Sequence, residues 1–88
     1  MNNDRRKRIK EVMERITEIH ASLTEIGEEL ESIRDDEQEA YENLPDSIRD
    51  GDRGDEMNDY ICQLETACDQ ITEASGQLEA VNEEIGSI

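Results

Sequence analysis

Residues 9–33 read IKEVMERITEIHASLTEIGEELESI, and the spacing of the aliphatic residues within them decides the fold. Ile9, Val12, Ile16, Ile19, Leu23, Ile26, Leu30 and Ile33 step by three and four, the interval that keeps a side chain on one face of an α-helix. Written as a heptad, Ile9, Ile16, Leu23, Leu30, Glu37 and Leu44 take position a, and Val12, Ile19, Ile26, Ile33 and Ala40 take position d. Only Glu37 interrupts the seam, and it is expected either to pair with Arg34 or form a polar layer that fixes register, or to be partly wet near the turn.

Pro45 ends this helix, because its ring clashes with the preceding turn and forces Leu44 out of helical geometry. The residues that follow, Pro45 to Gly54, are rich in Asp, Ser and Gly, the chemistry of a turn. Pro45 to Ile48 suits a single helical turn, Asp50 or Asp52 suits the cap of the next helix, and Ile48 with Met57 suits an apolar plug over the hairpin end. A second seam then runs through Met57, Leu64, Ile71, Leu78 and Ile85, accompanied by Tyr60, Ala67, Ala74, Val81 and Ile88. Beside it lies a third row, Ile61, Cys68, Ser75 and Asn82, making this stripe wider than one partner helix requires.

Two seams of similar length, each about 50 Å at 1.5 Å per residue, joined by a short connection, predict an all-α fold: an antiparallel two-helix coiled-coil hairpin. Helix one is expected over residues 4–43, the turn over 44–52 and helix two over 53–86, as a single domain. Ile16, Ile19, Leu23, Ile26, Leu30, Leu64, Ile71 and Leu78 are the expected buried seam. The extra row Ile61, Cys68 and Ser75 is the expected oligomer interface, where a second hairpin would dock to give a helical bundle, or else the docking face for the partner.

Composition narrows the function. The 88 residues carry a formal charge of −16, with no Phe or Trp and two Tyr, so rings that stack on nucleic-acid bases are scarce. From residue 16 onward, 22 acidic residues stand against three arginines, which disfavours direct nucleic-acid binding and suits a basic protein surface. Glu28, Glu31 and Asp35 are the candidate acidic contacts. The basic cluster Arg5, Arg6, Lys7, Arg8, Lys10 and Arg15 is expected to neutralise Glu79, Glu83 and Glu84 at the end of the second helix.

No run of apolar residues is long enough for a membrane span or a signal peptide, which predicts a cytosolic protein without membrane contact. Cys62 and Cys68 are six residues apart on one helix, too far apart to form a disulfide, and read as thiols. No cofactor or metal is expected. The segment Asp50 to Asp55 lacks the ligand at the fifth position and the glycine at the sixth that a calcium loop needs, and Arg53-Gly54-Asp55 is a chance match to an adhesion motif. His20 has no nucleophile near it and reads as a residue flanking the seam, so no enzymatic activity is expected.

The stretch Ala40-Tyr41-Glu42-Asn43-Leu44-Pro45-Asp46-Ser47-Ile48-Arg49, with Asp52-Arg53-Gly54-Asp55-Glu56-Met57, resembles a turn signature of small acidic helical proteins from Firmicute phages and mobile elements. It covers about a fifth of the chain. The resemblance implies a phage origin, with action in the host cytosol, and by association a role as an inhibitor of host defence, of the anti-CRISPR or anti-restriction kind. With Asn43 capping the first helix the turn reads as a structural corner, and Tyr41, Arg49 and Arg53 make it a candidate contact site instead if they are exposed.

The leading expectation is thus a non-enzymatic accessory protein, itself a homo-oligomer, that binds a basic nucleic-acid-binding protein by mimicking nucleic acid. The alternatives are a structural scaffold or assembly oligomer, and a helical sponge for signalling nucleotides.

Overall fold

A computed structural model describes all residues 1–88. It contains α1 (Asn3–Glu42), the one-turn α2 (Asp46–Arg49) and α3 (Asp52–Gly86), with no strand. α1 and α3 pack along their length as an antiparallel hairpin 69 Å long and only 15 by 13 Å across. No helix is long and apolar enough to cross a membrane.

Each boundary has a local cause. The Asn2 side chain accepts a hydrogen bond from the Arg5 amide at 2.9 Å and caps α1. Asn43 closes it at the other end, just before Pro45, and Pro45 opens α2, where its missing N–H costs nothing. Gly51, in extended conformation, is the N-cap of α3 and offers no side-chain bond, so neither Asp50 nor Asp52 fills the expected capping role. Asp52 and Asp55 instead lie in the first turn of α3, favourably placed against the positive end of its dipole.

Gly54 fixes the corner. It lies inside α3 rather than in the turn, and a Cβ there would stand 1.8 Å from the Arg49 carbonyl oxygen. Only glycine lets the end of α2 come so close to the start of α3. Ile48 stays exposed while Met57 is half-buried, so the apolar plug over the corner is incomplete.

The register of the hairpin is constant along its length. Met13 meets Gly86, Thr17 meets Asn82, His20 meets Glu79, Gly27 meets Ile71 and Tyr41 meets Asn58. The helices face each other with rows a and e, where row e of α1 is Met13, His20, Gly27, Arg34 and Tyr41, all at least half-buried. On α3 the matching row is Ile61, Cys68, Ser75 and Asn82. Ile61 is 5% exposed and Cys68 9%, and with Gly54 they are the only buried residues of the chain.

This corrects the seam read from spacing. Row d of α1, expected inside, lies outside: Val12, Ile19, Ile26 and Ile33 are each 43–52% exposed. Ile61, Cys68 and Ser75, expected as an oligomer interface, are instead taken up by the intramolecular pairing. Rows d and e flank row a on opposite sides, about 60° and 40° away at 100° per residue, and either can complete a seam with it. Row e completes the seam through a close approach at Gly27 and polar links at its edge. Gly27 admits Ile71, whose Cγ2 would lie 3.4 Å from an added Cβ, while the polar members of the row find partners across the gap at its wet edge.

Candidate protein-binding surface

The pairing makes the hairpin two-sided. Since the helices run oppositely and both face inward with a and e, both d rows emerge on one broad face and both b rows on the other. The b side carries all three cross-helix polar links. The Asn82 amide donates to the Thr17 hydroxyl at 3.4 Å, the Asn58 amide donates to the Tyr41 hydroxyl at 3.2 Å, and His20 Nε2 lies 2.9 Å from a Glu79 carboxylate oxygen. The Thr17 hydroxyl in turn donates to the Met13 carbonyl at 3.0 Å. Asn82 Oδ1 is left buried without a hydrogen-bond partner, beside the shallow cleft between Ile16, His20, Leu78 and Glu79.

Charge is divided lengthwise. Residues 1–15 hold six basic and three acidic side chains, whereas residues 31–65, around the corner, hold thirteen acidic side chains against Arg34, Arg49 and Arg53. The ion pairs are Arg34–Asp35 and Arg49–Asp46, and His20 lies against Glu79. The antiparallel register sets the basic start of α1 beside the end of α3, as expected, although none of the six basic residues between Arg5 and Arg15 is in an ion pair. Arg34 is spent on Asp35, through Nε at 3.2 Å and an Nη at 3.0 Å, and not on Glu37. The hydrogen bond to Asp35, reinforced by that residue's charge and opposed by partial desolvation, raises the Arg34 guanidinium above its already high ordinary pKa.

Of the candidate acidic contacts, Glu28, Glu31 and Asp35 are all exposed. Glu28 and Glu31 border a shallow groove floored by Leu23, Gly27 and Ile71, and Asp35 is partly neutralised by Arg34. The candidate turn trio is dispersed. Tyr41 is half-buried and bonded to Asn58, Arg49 is half-buried and paired with Asp46, and only Arg53 is exposed and outside the ion pairs. Cys62 is an exposed thiol and Cys68 a buried one.

The exposed aliphatic row of α1 is the surface feature that the reading of spacing missed. The signal lay in row e, whose small and polar members fit the facing helix: Gly27 meets Ile71, His20 meets Glu79 and Asn82 meets Thr17. Compared with protein-family models, curated proteins and solved structures, the chain matches none.

Proposed function

We propose that this chain is a non-enzymatic accessory protein whose acidic half docks on a basic surface of a protein partner, occupying a groove that would otherwise hold nucleic acid. The observation that carries the reading is the gathering of thirteen carboxylates around the corner between residues 31 and 65. Over the 69 Å axis the 25 carboxylates average about one per 2.8 Å, sparser than the shorter rod expected from spacing but within a factor of two of the roughly 1.7 Å per phosphate of duplex DNA. A rod about 15 Å wide also fits where a helical nucleic acid would lie. The turn resemblance to phage proteins directs the search for partners to nucleic-acid enzymes of bacterial defence systems.

The test is affinity capture from a bacterial lysate with identification by mass spectrometry, followed by binding measurements on the purified partner. Charge reversal at Glu28, Glu31 and Asp35 together is expected to weaken binding and flatten its dependence on salt, and added DNA or RNA is expected to compete. Binding that ignores salt, the reversals and nucleic acid alike would leave the charge as a solubility device and reject the mimic.

A further inference from the structure

We propose that the apolar face of the hairpin is covered by a second copy of this chain, stacked so that α1 lies antiparallel on the partner's α1 about a two-fold axis level with Ser22. This inference is independent of the function proposed above.

The area calls for a partner. A folded monomer of 10.1 kDa exposes about 5,300 Å² by the usual size scaling, whereas this chain exposes 6675 Å². The excess of about 1,400 Å² exceeds the roughly 800 Å² that each side of a stable interface hides. Exposed aliphatic side chains lie on one face: Val12, Ile19, Ile26 and Ile33 on α1, with Val81 on α3. Only three residues of the isolated chain are buried, and a second layer of helices would enclose the a and d rows together.

Sequence along that face favours a copy of the same chain in one orientation. Row g borders row d, and on α1 it reads Arg8, Arg15, Ser22, Glu29, Asp36, basic on one side of Ser22 and acidic on the other. A two-fold axis at Ser22 brings Arg8 opposite Asp36 and Arg15 opposite Glu29 of the other copy, each twice, since antiparallel helices set g beside g. To within one residue the same axis sets Val12 opposite Ile33 and Ile19 opposite Ile26, so the d row covers itself. On α3 the axis falls level with Gln77, where the bordering residues Gln70 and Gln77 are uncharged and Ala74 is small. The arrangement also lays the basic end of each chain over the acidic corner half of the other. Stacking α1 on the partner's α3 instead would place two corner halves side by side, each with thirteen acidic residues against three basic.

Sedimentation equilibrium on the full chain, from 1 to 100 μM at low salt, tests this. The expected result is a dimer, and Ile19→Asp with Ile26→Asp is expected to abolish it. Because that variant puts charges on an aliphatic row, exposed charge swaps provide the second arm. Arg15→Glu alone and Glu29→Arg alone are each expected to raise the dimer Kd about tenfold by setting like charges together, and the double exchange is expected to restore it to within about threefold. A chain that stays monomeric at 100 μM, an assembly other than a dimer, a dimer indifferent to the two Asp substitutions, or a double exchange that fails to rescue each overturns the proposal. The last outcome would assign the α1-on-α3 stacking, in which Glu29 does not face Arg15.

Discussion

At the residue scale, two glycines of α3 carry opposite predictions. Gly54→Ala forces a methyl into the Arg49 carbonyl and should destabilise the chain by about 2–3 kcal/mol, the upper range for overpacking against atoms that cannot yield. Gly76 has nothing within 4 Å of an added Cβ, so Gly76→Ala should stabilise by about 0.5–1 kcal/mol through reduced backbone entropy alone. Urea denaturation followed by circular dichroism measures both, and equal effects would mean that the corner is not closed by Gly54. Tyr60 offers a spectroscopic check of local structure. Its hydroxyl donates to Glu56, and that hydrogen bond, with the carboxylate's charge, raises the phenol above its ordinary pKa. Since the folded value is raised, the contribution of this bond to stability is complete below the ordinary phenol value of about 10 and is lost as pH rises through the folded one. In a Tyr41→Phe background, absorbance titration at alkaline pH should show the Tyr60 midpoint falling when Glu56→Gln is added, and an unchanged midpoint would remove the bond.

At the element scale, the helices were legible from spacing and the pairing was only half legible. Pro45 and the aliphatic steps located α1 and α3 to within a residue or two, because they act through backbone sterics and periodicity. Row a was also assigned correctly to the inside. Which neighbour of row a completes the seam depends on what the other helix presents, and hydrophobicity alone pointed to row d, which is aliphatic throughout. The result alters the expected behaviour of two isoleucines. Ile61→Ala should cost about 2–4 kcal/mol, since the side chain is 5% exposed within one chain, and the cost should not depend on protein concentration. Ile19→Ala is half exposed in the hairpin, so any large cost must vanish on dilution. Thermal melts of both variants at 2 and 200 μM separate the two cases. Of the candidate sites, the acidic residues were easiest to place, because long charged side chains on an amphipathic helix remain outside; the dispersal of Tyr41, Arg49 and Arg53 was hidden because it depends on the corner geometry that Gly54 permits.

At the scale of the whole molecule, a charge of −16 on a rod 69 Å long means that folding and association both work against self-repulsion. The melting temperature should therefore rise between 10 and 500 mM sodium chloride; a fall would show that ion pairs outweigh repulsion. The constant register has a different kind of consequence. Thr17 to Leu23 lie across from Gly76 to Asn82, so excising both segments removes one heptad from each arm while every remaining residue keeps its facing partner and its phase. Such a chain should stay helical and lose about 10.5 Å of length at 1.5 Å per residue, readable by small-angle X-ray scattering, whereas excising either segment alone should scramble the pairing beyond it. The hairpin is in this sense a telescoping spacer: the distance between its basic tip and its acidic corner is a variable that insertions or deletions can set in heptad steps without redesigning either end.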